Sequence, residues 1–245
     1  MPLPPTFQAR LVAARTLSPS VRELTFERED GAPVAFDAGQ WVSLILPQSE
    51  TNGGGELRRS YSVASAPDGS PRFDIAVTRV ATGNGSRFLH DLPLGASLPG
   101  IGPQGFFTRV RTPGPALFVA TGTGITPFRS MLRAAERSGD VTPTWLLFGV
   151  RREEDAIYKS ELEELAARSP HVRVALTLSQ PVGEWGGLRG YVQHHARGMY
   201  EELASLAEKP HVFICGLQKM VGSMRELLRG EMQLPRELVH SERYD

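Results

Sequence analysis

The chain has 245 residues, 40% of them hydrophobic, and its 27 Lys plus Arg are balanced by 27 Asp plus Glu. That length suits one large domain or two ordinary ones, the apolar share suits packed cores, and zero net charge argues against a general nucleic-acid binder. One cysteine, Cys215, excludes an internal disulfide framework and a protein-held iron–sulfur cluster, which normally needs four cysteine ligands.

In chain order, the first 110 or so residues read as strands. FQARLVAARTLSPSVRELTFER alternates apolar and polar residues and breaks at Ser18-Pro19; QWVSLILP is a short apolar run closed by proline. RRSYSVAS and FDIAVTRVA follow, with QSETNGGGE and APDGSP as loops around them. One short helix is expected from Ser86 (SRFLHDL), with Asn84 or Ser86 as its cap and Gly83 to Gly85 outside it. Many short strands with turn chemistry predict an antiparallel barrel or sandwich.

The pattern changes at RTPGPA, Arg111 to Ala116. Strands ALFVAT, TWLLFGV, VRVALTLS and HVFICG now alternate with helices PFRSMLRAAERSG, YKSELEELAARS, YVQHHARGMYEELA and QKMVGSMRELLRG. Pro127 suits a first helical turn and Gly139 a helix end. The alternation predicts an α/β doubly wound parallel sheet. The expected division is therefore an N-terminal antiparallel β-barrel over 1–112 and a C-terminal α/β domain over 113–245.

Three features of the back half bear on chemistry. VATGTGITPF runs from a buried strand through Gly122, Thr123, Gly124, Ile125, Thr126 and Pro127 into a helix. Glycines permit close backbone approach, and a helix N-terminus attracts a phosphate, although the same letters suit an ordinary glycine-rich turn. After the second strand come Arg151 and Arg152, then Glu153 and Glu154. In a dinucleotide fold this point lies near the adenine ribose, where an arginine favours NADP and an acid favours NAD; a solvated helix start reads the same way. Cys215-Gly216 ends the fourth strand, on the side where open α/β sheets bind ligands, though most free cysteines are small buried hydrophobes.

In the front half, Arg58 and Arg59 stand beside Ser60, Tyr61 and Ser62, and Gly83-Asn84-Gly85-Ser86 opens the expected helix. Arginine grips a pyrophosphate with two donors, backbone N–H groups at a helix start bind an anion, and tyrosine stacks on a planar ring. Two phosphate devices and an aromatic ring imply a second phosphorylated cofactor; a partly exposed strand with surface arginines is the alternative. His194 and His195 lie in no metal-binding spacing, so no metal site is expected. No apolar run approaches the ~20 residues that span a bilayer, and MPLPPTFQAR lacks a signal-peptide core. A soluble cytoplasmic chain, with no membrane or nucleic-acid partner, is expected.

Taken in order, Arg59-Ser60-Tyr61-Ser62, Gly83-Asn84-Gly85-Ser86, Gly102-Pro103-Gln104-Gly105, GTGITP, LFGVRREEDAIYKSELEEL, CGLQKM and SERYD resemble the ferredoxin–NADP⁺ reductase superfamily. The resemblance implies an FAD-dependent NAD(P)H oxidoreductase, acting as a monomer. Its partner would be ferredoxin, flavodoxin or an oxygenase component. A free-flavin or ferric reductase, or a non-catalytic binding module, would share the scaffold. It implies FAD contacts from Arg59, Ser60, Tyr61, Ser62, Val77, Gly83, Asn84, Gly85, Ser86, Thr123 and Tyr244. It implies NADP or NAD contacts from Gly122, Thr123, Gly124, Ile125, Thr126, Pro127, Val150, Arg151, Ser179, Arg189, Tyr191, Cys215 and Gly216. Ser62, Cys215, Glu242 and Tyr244 would be the catalytic groups. Two departures stand out: Gln180 follows Ser179 where many NADP users have arginine, and Asp245 extends past Tyr244. Arg189 and Tyr191 occupy the place of a Lys-x-Tyr that grips the 2′-phosphate, while a similar GYVxxH also occurs in NADH-using oxygenase reductases.

Overall fold

The computed structural model describes residues 5–47, 56–110 and 112–244; of the loop expected at 48–56, all but Glu56, which begins a strand, lies outside the described residues, as do Arg111 of the junction and Asp245. The chain forms two compact units, Met1–Thr108 with Arg129–Ala134, and Arg109–Phe128 with Ala135–Asp245.

The first unit is an antiparallel sheet of six strands: β1 (Thr6–Ser18), β2 (Val21–Arg28), β3 (Trp41–Pro47), β4 (Glu56–Ser62), β5 (Arg72–Thr78) and β6 (Ser97–Gln104). Their spatial order is β4-β3-β6-β1-β2-β5. Alternate residues of β1 (Phe7, Ala9 and Leu11) point inward, as a half-buried strand requires. They meet Leu24, Phe26, Leu44, Phe73 and Ile75 in one core. Phe26 stacks on Phe73 with ring centroids 5.7 Å apart. The two sheet ends come together just past β4, where Ala64 N–H donates to the Asp74 carbonyl at 2.8 Å. This bends the sheet toward a barrel.

Two expectations change here. SLPGIGPQ, which carried no strand signal because it holds two prolines and two glycines, is β6, in the middle of the sheet. Gly100 lies opposite Phe7, and a Cβ there would stand 2.5 Å from the Phe7 ring, so the glycine is what lets the aromatic lie across the strand. The short helix, α1 (Asn84–Asp91), begins two residues before Ser86, with Gly83 as its N-cap and no side-chain cap. The Ser86 hydroxyl instead donates back to the Gly83 carbonyl and accepts from Val80 N–H, bracing the turn before the helix.

The second unit is a parallel sheet of β7 (Ala116–Thr121), β8 (Thr144–Val150), β9 (Val172–Leu178), β10 (Leu188–Arg189), β11 (His211–Leu217) and β12 (Val239–Tyr244), in the order β10-β9-β8-β7-β11-β12. Helices α2 (Thr126–Ser138), α3 (Lys159–Arg168), α4 (Gln193–Leu206) and α5 (Gln218–Arg225) connect the strands. Every residue of β8 is buried, as a central parallel strand covered on both faces must be. Pro127 occupies the first turn of α2, and Gly139 ends it at φ 68°. The expected doubly wound fold is therefore present, with two strands the alternation did not contain. β12 is VHSERY, too polar to read as a parallel strand, and β10 is two residues long.

Candidate functional site

In the first unit the relevant side chains divide between the two faces of β4. Leu57 and Tyr61 pack on the barrel core, and Arg59, two residues from each, shares their face. Arg58 and Ser60 point the other way: Arg58 Nε donates to Ser43 Oγ at 2.9 Å, and Ser43 Oγ lies 2.9 Å from Ser60 Oγ. Ser60 is thus engaged across the β3–β4 ladder, and Arg58, which had no role in the sequence, anchors it.

Arg59 and the glycine turn, 24 positions downstream in sequence, are neighbours. A Cβ at Gly85 would lie 3.2 Å from Arg59 Cγ and 3.2 Å from Leu46 Cδ1, so α1 begins directly against the arginine stem. The Arg59 guanidinium is exposed, with one nitrogen donating to the Arg58 carbonyl. First-turn N–H groups of a helix have no intrahelical acceptor. A guanidinium beside such a helix start is a donor set suited to a diphosphate. Burial pushes the Tyr61 hydroxyl up to about 12 against the opposing charge of Arg59, so the ring stays neutral. Ser62 ends β4 and is buried. Val77 is a core side chain whose carbonyl lies 2.8 Å from the His90 ring nitrogen; its surface is spent inside the barrel.

Behind this strand lies a buried charge cluster the sequence did not reveal. Arg129 Nη1 donates to the Ala64 carbonyl at 3.0 Å and lies 3.8 Å from both Glu23 and Asp74. Glu23 also meets Arg15 at 2.5 Å, and Asp74 accepts from Thr25. Burial raises the Asp74 carboxyl; Glu23 adds to that, while Thr25, Arg129 and Arg15 oppose it. The Ser130 hydroxyl holds the Ser65 carbonyl at 2.7 Å. The segment following Ser62 is therefore fixed by two adjacent residues, Arg129 and Ser130.

In the second unit the site gathers at the carboxyl ends of the strands. Gly122–Ile125 is a single 3₁₀ turn between β7 and α2, with Gly122 at φ 54°. A Cβ on Gly124 would overlap the Cys215 carbonyl and lie 2.8 Å from Gly216 Cα, so only glycine lets the turn sit against β11. Thr121 Oγ1, at the end of β7, is buried without a hydrogen-bond partner. A Cβ on Gly216 would collide with it. An orphaned buried hydroxyl is unusual and fits a polar ligand group arriving at that point. Ile125 is buried beneath the turn, and Pro127 starts the helix.

Cys215 is 0% exposed. Burial, and then the charge of Glu242, push its thiol well up, opposed by a hydrogen bond from Tyr244. Glu242 is the ladder partner of Cys215, and Tyr244 that of Leu217. At the other side of the sheet, Ser179 N–H donates to the Val150 carbonyl at 3.0 Å and Gln180 N–H to the Arg151 carbonyl at 2.9 Å. Gly190 N–H donates to Leu178, which brings Arg189 and Tyr191 to the same strand ends. Arg189 Nη2 holds the Trp185 carbonyl at 3.1 Å. Tyr191 is 61% exposed, edge-on to His194 at 5.8 Å. Val150, Arg151, Ser179, Arg189 and Tyr191 thus form one group, and Gly122 to Pro127 with Cys215, Gly216, Glu242 and Tyr244 form another. Thr121 and the Arg129 cluster are the residues that sequence reasoning missed. The buried threonine looked like any strand end, and the charges looked like any surface charges.

Residues 8–108 match the family model of the oxidoreductase FAD-binding domain, and residues 118–226 that of the oxidoreductase NAD-binding domain. The chain is 58% identical over 242 residues, 98% of either chain, to ferredoxin–NADP reductase B of Sorangium cellulosum (strain So ce56). The chain belongs to the ferredoxin–NADP reductase family. It is an oxidoreductase with an FAD-binding and a nicotinamide-dinucleotide-binding domain. A more distant relative within reach of this reductase family is the glycine betaine monooxygenase reductase subunit of Pseudomonas aeruginosa (strain UCBPP-PA14), 32% identical over 86% of this chain. The chain spans 57% of that relative's length. The CS-b5R domains of human Ncb5or share the fold, with a TM-score of 0.85 at 22% identity over 98% of this chain and 70% of theirs. Among the described residues, no helix of this reductase is long and apolar enough to cross a membrane.

Proposed function

We propose that the chain passes electrons between NADPH and a one-electron carrier, ferredoxin or flavodoxin, acting as a cytoplasmic monomer. Residues 1–112 would form the FAD domain and 113–245 the nucleotide domain. The observation that carries this reading is the pair of glycine turns, each opening a helix. One lies beside Arg59, the other beside Cys215 and the unpartnered Thr121 hydroxyl. The name of the relative at 58% identity supports the choice of ferredoxin and NADP.

A bound flavin supplies the acceptance of two electrons as hydride and their release one at a time. The rest is the work of the chain. Arg59 and the first-turn N–H groups of Asn84, Gly85 and Ser86 hold the FAD diphosphate. Tyr61 offers a neutral ring, and Ser62 a hydroxyl for the flavin N5 region. Assigning Ser60, Val77, Thr123 and Tyr244 to FAD is part of this proposal, with Ser60 contributing through the strand that its Ser43 bond steadies. Gly122 to Pro127 hold the nucleotide diphosphate at the start of α2. Arg151, Ser179, Arg189 and Tyr191 hold the adenosine end, beside Val150. Cys215, Gly216 and Glu242 border the nicotinamide ring. Holding both reactants in place removes much of the entropic barrier to transfer.

An NADH-dependent reductase component of an oxygenase is the second reading, favoured by Glu153 and Glu154 after Arg151 and by the 32% identical monooxygenase reductase subunit. Stopped-flow reduction of the FAD-loaded protein with each nucleotide separates the two: faster reduction by NADPH, with turnover on ferredoxin, is expected. A colourless protein that takes up no added FAD would sink both.

A further inference from the structure

Arg189 stands on a strand too short to hold it. β10 is Leu188–Arg189 alone, paired with Thr177 and Leu178 of β9, and strands that last in isolation are longer. The next residue, Gly190, turns at φ 97°, in the left-handed region that favours glycine. Neighbouring elements supply the missing grip. Thr177 Oγ1, buried in β9, donates to the Gly190 carbonyl at 2.9 Å. Gly190 N–H donates to the Leu178 carbonyl at 2.8 Å. His195 Nε2, in the first turn of α4, lies 2.9 Å from the Arg189 carbonyl. A carbonyl only accepts, so this ring nitrogen carries the proton and donates. Three successive polar atoms of the Arg189-Gly190 backbone are thus held. The loop before them also closes on itself: Trp185 Nε1 donates to the Leu188 carbonyl at 2.8 Å, and Arg189 Nη2 to the Trp185 carbonyl at 3.1 Å.

We infer that His195 and Thr177 are positioning residues of the nucleotide site: they hold the Arg189-Gly190 backbone so that the Arg189 guanidinium meets the 2′-phosphate that separates NADPH from NADH. The inference rests on the proposed reading of Arg189 as a residue of the adenosine end. An arginine head is carried on a long, flexible stem, so its place is only as well defined as its backbone and its local partners make it. Ordering a loose loop when the ligand arrives costs affinity; a loop ordered beforehand avoids that cost. Neither His195 nor Thr177 has to touch the nucleotide for this. His195 acts through the Arg189 carbonyl and Thr177 through the Gly190 carbonyl, one from each side of the turn. Both therefore act on selectivity for the extra phosphate, whereas contacts to adenine are common to both nucleotides and cancel in a ratio.

Calorimetric titration of the FAD-loaded protein with adenosine 2′,5′-bisphosphate and with 5′-AMP reads this directly, because the ratio of the two affinities isolates the 2′-phosphate. His195→Ala and Thr177→Val should each lower that ratio about five-fold, as loss of one neutral hydrogen bond does. His195→Gln, whose terminal amide N–H stands in for the ring donor, should keep the parental ratio. In an Arg189→Ala background His195→Ala should lower the ratio no further, because both act through one guanidinium. A parental ratio in His195→Ala, equal weakening of both ligands, or additive losses in the double variant would overturn the positioning role while leaving Arg189 its own. A parental ratio in Arg189→Ala would instead overturn the reading of Arg189, and the positioning role with it.

Discussion

At the scale of the residue, Arg189 and Arg129 behave differently although both are arginines. Arg189 is exposed and holds one carbonyl of the Trp185 turn. Replacing it with alanine should cost little stability and raise KM for NADPH about tenfold, as loss of one charged hydrogen bond does. The change for NADH should be smaller; steady-state kinetics with both nucleotides checks it. Arg129 is buried between Glu23 and Asp74. Arg129→Met removes the cation that Glu23 and Asp74 share, leaving Glu23 to Arg15, and should destabilise the protein by ~3 kcal/mol, measured by urea unfolding. The role proposed for Arg189 comes from the sequence, because a cation near a strand end has a known use in a dinucleotide fold. The role of Arg129 was not legible there, because burial of a charge depends on which distant strands meet, and no local pattern records that.

Elements were legible where their period was strong. The alternation in β1, the solid apolar run of β8 and the proline and glycine that bound α2 all announce themselves. β6 and β12 do not. β6 is a strand because Phe7 fills the space its glycine leaves, a cross-strand fact. β12 is polar along its length and earns its place by pairing residue for residue with β11. One consequence is a pH dependence. His211 Nδ1 and His240 Nε2 face each other at 3.0 Å across these strands, with Phe213 stacked on His240 at 4.4 Å. Burial lowers both; the charge of His211 lowers His240 further and Arg109 lowers His211 further, while a hydrogen bond to the Glu237 backbone opposes the shift in each. Their folded values lie below the unfolded value of about 6.5, so the unfolded chain takes up protons first as pH falls. Stability is full above that value and declines as pH drops below it toward the folded values. The melting temperature should fall on mild acidification, and His240→Phe should flatten that fall; a pH series of thermal melts on both proteins checks it.

At the scale of the whole molecule, two compact units carry two glycine turns and two kinds of phosphate chemistry. Resemblance of several motifs in one order carried the reading, since each motif is weak alone. The physical content came from the structure: the helix start lies against the Arg59 stem, and the turn lies against Cys215. If Arg59 and α1 hold FAD, then FAD stabilises the folded chain by mass action. A hundredfold excess over Kd adds ~2.7 kcal/mol, and the unfolding midpoint of FAD-free protein should rise by several degrees. A thermal shift series with FAD, with free riboflavin as the control lacking the diphosphate, measures how much of that comes from the phosphate grip.

The position of β4 gives its arginines a second effect. β4 is an end strand of its sheet, and such strands invite a foreign strand to pair with them. Arg58 and Arg59 are exposed on that strand, one tied to Ser43 and the other reserved for an anion. Two like charges along the rim repel a second copy approaching edge to edge. If Arg59 holds the cofactor, the charge that serves it would also oppose edge-to-edge pairing of two copies before the cofactor arrives.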